Sequence, residues 1–135
     1  DYDRALMRYE GAMRMIPLDL GLRTELAWLL ATAPQAGIAD PARAAEMAAE
    51  LVEATGGLSY RAYDIMAAAL ARMGRFEEAV DAETHAIELR AASMQAGESE
   101  HGASLLPEVD ASTVESMRQR LDLYRSGRAY VLPQR

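Results

Sequence analysis

Cysteine, lysine and asparagine are wholly missing from this 135-residue chain, and aromatic residues make up only 6% of it. The lack of cysteine excludes disulfides, thiolate metal sites and cysteine nucleophiles, and fits either a reducing or an oxidising compartment. With no lysine, all fourteen basic residues are arginines, a usage expected of a GC-rich bacterial genome. No apolar run approaches the ~20 residues of a membrane-spanning helix, and no segment has the pattern of a secretory leader. A soluble domain is expected, with the bacterial cytoplasm favoured over the periplasm. Positive charge is also scarce: the net charge is −7, and between Ala44 and Glu100 eleven acids face four arginines. Such a surface repels phosphate, so no nucleic-acid partner is expected.

What the chain does have is alanine, within a composition that is half hydrophobic. Few β-branched residues and many good helix formers predict an all-α fold, in one domain large enough to bury a core. A small pattern recurs three times: Ala5-x3-Tyr9-x2-Ala12, Ala44-x3-Ala48-x2-Leu51 and Ala79-x3-Glu83-x2-Ala86. Its spacing puts the three residues of each copy on one helical face. Leu26-Ala27-x2-Leu30 and Met66-Ala67-x2-Leu70 precede the second and third copies, so each repeat reads as two antiparallel helices. A period near ~34 residues is that of a helical-hairpin solenoid.

Local signals place the elements. Helix one is expected over about 3–16, stopping at Pro17, which has no amide to continue a helix. Asp19 caps a second helix, about 20–32, and residues 33–39 form a long turn that stretches the Ala5 to Ala44 spacing to 39. Asp40-Pro41 starts a third helix that ends at Gly56-Gly57. Ser59 caps a fourth, about 60–73, closed by Gly74, and a fifth spans about 76–93 with Ala79, Ala86 and Leu89 on its buried face. Residues 96–109 read as a flexible loop rich in Gly, Ser and Glu. Ser112-x-x-Glu115 is a capping-box pattern for a last helix within 110–127. Its Val114, Met117, Leu121 and Tyr124 form an apolar stripe opposite Arg118, Asp122 and Arg125, as suits a terminal cap. The tail, 128–135, either folds back over the helices or stays disordered.

Tyr63-x2-Met66-Ala67-x2-Leu70, followed by Gly74-Arg75-Phe76-Glu77-Glu78-Ala79, resembles the tetratricopeptide repeat family, with its aromatic–leucine–small series and its Gly-x-aromatic-x-x-Ala turn. Residues 1–17, with Ala5, Tyr9, Ala12 and Pro17, resemble the second helix of a truncated repeat. Residues 19–56 read as a degenerate repeat, with Arg23 in an aromatic slot, and 59–93 as a third. Leu26-Ala27-Trp28-Leu29-Leu30-Ala31-Thr32 and Tyr124-Arg125-Ser126-Gly127-Arg128-Ala129-Tyr130 look like a bacterial subgroup found as the C-terminal part of longer chains. The resemblance implies an α-solenoid of about two and a half repeats plus a C-terminal capping helix, with a concave groove for peptides or helices of other proteins. A helix preceding Asp1 would cover Leu6 and Met13; otherwise a partner would.

By register, Thr24, Trp28, Arg61, Asp64, Ala68 and Arg72 share the groove face, and five of them are the candidate partner-binding residues: Thr24, Trp28, Arg61, Asp64 and Arg72. Trp28, the sole tryptophan, is either a binding anchor or a packing residue wedged against a neighbouring helix. A carboxylate-clamp variant of the family grips chain termini with Lys, Asn and Arg on its first helices. Here Lys and Asn are missing and only Arg61 is suitably placed, so that function is rejected. Asp81 and His85, four apart with Glu78 one turn earlier, lack two further ligands for a metal. His101 sits beside Glu98 and Glu100 with nothing to hold catalytic geometry. Neither catalytic residues, nor a metal, nor a cofactor is expected. Met7, Met13 and Met15 crowd helix one, either as gap fillers or as an adaptable interface.

The expected role is a non-enzymatic interaction or scaffold module that holds another protein or peptide through its groove and open N-terminal face. The alternative is a C-terminal accessory domain that stabilises or positions the rest of a longer bacterial enzyme or envelope protein. Self-association through helix one is a third possibility.

Overall fold

The computed structural model describes residues 1–15, 19–95 and 113–133, except the side chains of Met13 and Met15. Among them are six α-helices and no strand: α1 (Tyr2–Met15), α2 (Leu20–Thr32), α3 (Pro41–Ala54), α4 (Tyr60–Arg72), α5 (Phe76–Gln95) and α6 (Val114–Arg125). The fold is thus all-α over the described residues. Pro17, the 96–109 segment with His101, and Ser112 lie outside them.

Side-chain acceptors begin the helices. Asp19 accepts from the Leu22 amide at 3.0 Å, Asp40 from Arg43 at 3.1 Å and Ser59 from Ala62 at 3.2 Å, each satisfying an amide that has no partner within its helix. Thr113 caps α6 through the Ser116 amide at 3.1 Å. Three helices end on glycines at positive φ: α3 at Gly56 and Gly57, α4 at Gly74 and α6 at Gly127. At Gly74, φ +80°, the Arg75 amide donates back to Leu70 O at 2.9 Å and Gly74 N to Ala71 O at 3.0 Å, while Gly127, φ +75°, turns α6 in the same way. Both positions lie in the left-handed region that a Cβ disfavours.

Each helix packs on its neighbours in sequence, and α2 also touches α4 across the α3 connection. Residues 25–32 of α2 are all buried, so this part of the helix is enclosed on every side rather than amphipathic. That enclosure requires small contact residues, and Ala27, Ala31, Ala44, Ala48, Ala62, Ala68 and Ala69 are all fully buried in one apolar cluster with Leu26, Leu29 and Ile65. On α5 the buried stripe is Ala79, Glu83, Ala86 and Arg90. Leu89, expected on that stripe, is only half-buried. The helical period carries Arg90 inward instead, where its guanidinium lies 4.9 Å from the centre of the Tyr60 ring.

A buried helix C-terminus must find donors for its last carbonyls, and α2 finds one for each. Leu29 O takes the Ala33 amide at 2.9 Å, and Leu30 O the Asp40 amide at 2.8 Å, so the long 33–39 turn delivers a donor. Ala31 O and Ala33 O take Arg72 Nη1 at 3.4 and 3.0 Å. Thr32 O takes the Leu132 amide at 2.8 Å. The last of these shows the tail folded back over α2, with Leu132 buried and the Tyr2 hydroxyl donating to Pro133 O at 2.7 Å.

No atom crowds the Cβ position of Gly74, so Gly74→Ala tests the backbone alone. A loss of about 1 kcal/mol in urea unfolding is expected.

Candidate functional site

The five candidate binding residues separate into three places. Trp28 is 1% exposed and Asp64 is equally buried, and both lie beneath α6 and the tail. Ala68 is fully buried as well. Thr24 and Arg61 line an open cleft at the N-terminal ends of α2 and α4. Arg72 is directed to the end of α2, as described above. The groove face inferred from register is therefore occupied at its centre by the chain's own C-terminal segment.

That centre is a buried charge cluster. Arg120 of α6 grips Asp64 of α4 with two parallel bonds, Nε to Oδ1 at 3.1 Å and Nη2 to Oδ2 at 3.0 Å. Its guanidinium is flanked by the rings of Trp28, 5.2 Å away, and Tyr130, 5.4 Å away, while the two rings meet at 5.8 Å. Planar delocalised charge suits both contacts, which lysine would not reproduce. Burial works against the Arg120 charge, but Asp64 and Glu83 outweigh it and raise its pKa.

Glu83 of α5 completes the cluster, fully buried, and neither of its carboxyl oxygens accepts a hydrogen bond. Its neighbour is Asp64, whose oxygens are already engaged by Arg120. The hydrogen bond open to Glu83 is one that it donates as a neutral acid to Asp64. Burial first, and the Asp64 charge second, push the Glu83 pKa well above its ordinary 4.5. The Tyr124 phenol of α6 is buried without a partner, and burial followed by Glu83 and Asp64 push its pKa well above 10.

No family model, curated protein or solved structure matches this chain. Its chemistry is thus read from its own residues.

The open cleft, about 290 Å³, is walled by Leu20, Thr24, Leu51, Thr55, Tyr60 and Arg61. Arg61 Nη1 pairs with Glu25 Oε1 at 3.2 Å, and the Thr24 hydroxyl donates to Leu20 O at 2.6 Å. The wall thus joins an apolar rim to a partly buried ion pair. Leu58, just before the Ser59 cap, is 74% exposed at the same end of α4. Asp81 and His85 are exposed, and His85 meets the Tyr63 ring edge-on at 4.4 Å. Among the described residues no three His, Asp or Glu side chains gather as metal ligands, and no helix is long and apolar enough to cross a membrane.

Sequence reasoning missed Arg120, Glu83 and Tyr130, although two of them left a signal. Arg120 lies three residues after Met117 and four before Tyr124, inside the apolar stripe of α6. Glu83 fills a slot that Tyr9 and Ala48 occupy in the other two copies.

Two outcomes follow. Arg120→Met leaves Asp64 buried without its guanidinium and costs about 3–5 kcal/mol in urea unfolding at neutral pH. Glu83 favours its proton more when folded than when unfolded. Its contribution is therefore complete at and below ordinary carboxylate pH and fades as pH climbs toward its raised pKa. Wild-type stability is expected to decline over that window relative to Glu83→Gln, compared by denaturant midpoints at stepped pH.

Proposed function

We propose that this chain is a tetratricopeptide-like helical-hairpin module that holds another protein. The observation that carries this reading is the contact of α2 with α4 across α3. Such contact sets the first helices of successive hairpins side by side, as a stacked repeat array requires. Connections of three to eight residues, at 33–40, 55–59 and 73–75, support the same reading. The buried alanines allow the close approach between helices.

Under this reading the partner meets the end of the module where α2 and α4 begin. Trp28 and Asp64 belong to the closure by α6 and the tail, whereas Thr24 and Arg61 remain on a cleft rimmed by Leu20, with exposed Leu58 nearby. A concave apolar wall with a few placed polar groups is the usual form of a docking site. The occupant that suits it is a short apolar segment of a partner, with a polar group oriented by the Glu25–Arg61 pair.

A second reading, attachment to the remainder of a longer chain or to another copy, is favoured by α1. Met7 on that helix is 72% exposed, although Tyr2 and Tyr9 of the same helix are buried in the core. An unbranched thioether on an open helical face suits an adaptable contact.

The test uses immobilised chain and a bacterial lysate, with captured proteins quantified by mass spectrometry. A Leu20→Glu/Leu58→Glu variant is expected to lose a specific partner by about tenfold or more, whereas Arg118→Glu on the exposed side of α6 retains it. Equal capture by all three proteins would remove the cleft from the account. Loss through Met7→Glu instead would favour the second reading.

A further inference from the structure

Glu83 is a buried acid whose two carboxyl oxygens accept no hydrogen bond. The groups facing it are Asp64 from α4 and Arg120 and Tyr124 from α6, with Tyr130 of the tail on Arg120's far side. One guanidinium thus serves two carboxyls, and it arrives on α6. Apart from Asp64 on α4, everything just named around Glu83 belongs to the C-terminal segment 113–133.

The main apolar cluster draws little from that segment, whose Tyr124 packs instead in a second, smaller cluster with Ala67, Leu70, Ala71 and Ala79. The buried members of the main cluster run from Tyr2 to Ala69, and Leu132 is the single one contributed from beyond α5. The tail is tied down by the Leu132 amide to Thr32 O and by the Tyr2 hydroxyl to Pro133 O. Seventeen residues, 96–112, separate α5 from the Thr113 cap.

We propose that Thr113–Pro133 is a latch closed over α2, α4 and α5, and that charging the Glu83 carboxyl opens it while α1–α5 stay folded. A second buried anion beside Asp64 exceeds what one arginine can neutralise, and hydration is its relief. Lifting α6 and the tail admits water to both carboxyls without dismantling the cluster from Tyr2 to Ala69. The raised pKa of Glu83 places the opening above the ordinary carboxylate range. This inference requires no partner and stands apart from the binding role proposed above.

Trp28 reports on the latch, being the sole tryptophan and lying against Arg120 and Tyr130. As pH is raised, its emission is expected to shift to the red. Amide protection over Met117–Tyr124, corrected for intrinsic exchange, falls about tenfold or more while that over Ile65–Leu70 is kept. Far-ultraviolet ellipticity loses only the share due to α6. Glu83→Gln abolishes the emission shift and Tyr124→Phe retains it. Asp64→Asn, which leaves one carboxyl for the one guanidinium, abolishes it independently. A folded Glu83→Gln or Asp64→Asn protein that opens at the wild-type pH overturns the proposal. So does a wild-type transition in which emission and total ellipticity change together, since that is global unfolding.

Discussion

The two parallel bonds between Asp64 and Arg120 determine where the C-terminal segment 113–133 lies. They join positions 56 residues apart and fix both the register and the rotation of α6 against α4. A buried ion pair adds little net stability over apolar packing, because removing two charges from water costs as much as their attraction returns. Its value here is discrimination. A helix shifted by one residue would present Gln119 or Leu121 to Asp64 and leave a charge stranded. The Trp28 and Tyr130 rings lower the cost of holding the guanidinium in the dry interior. Once α6 is placed, the Gly127 turn directs the tail back along α2.

The tail and the end of α2 depend on each other for the same reason. An enclosed helix end cannot leave its last carbonyls to water, so donors come from the 33–40 connection, from Arg72 on α4 and from the Leu132 amide. Three parts of the chain distant in sequence are thereby brought to one point. Arg72 serves this point, which is why it is absent from the cleft that Thr24 and Arg61 line. The long turn likewise has a local purpose: it returns the Asp40 amide to Leu30 O.

Elements set by near neighbours were legible in the sequence. Asp19, Asp40 and Ser59 at helix starts, and Gly56 and Gly74 at helix ends, act through bonds that reach no farther than six residues. The side on which a residue finds its partner was harder to read. Register placed Trp28 on one face with Thr24 and Asp64, and whether that position faces solvent depends on where α6 comes to rest. Arg120 and Glu83 could have been flagged as charges in apolar slots. Their pairing with Asp64 could not, because nothing local specifies which helices meet. Arg90 in place of Leu89 on α5 is a smaller case, in which one residue of drift in a 3.6-residue period exchanges an apolar contact for a cation over a ring.

Closure of the central face by the chain's own segment bears on any partner that would use it. A tethered segment competes as though present at an effective concentration on the order of millimolar. An outside helix making the same contacts at micromolar concentration is therefore disfavoured by about a thousandfold, or about 4 kcal/mol. Contacts that merely copy Arg120 and Tyr130 do not overcome that margin. A partner gains access either by adding area that the resident segment does not use or by meeting a module whose latch has already lost its hold. The cleft at the start of α2 and α4 carries no such penalty, since Leu20, Thr24 and Tyr60 are not covered by residues 113–133, and the Glu25–Arg61 pair is already organised before anything binds.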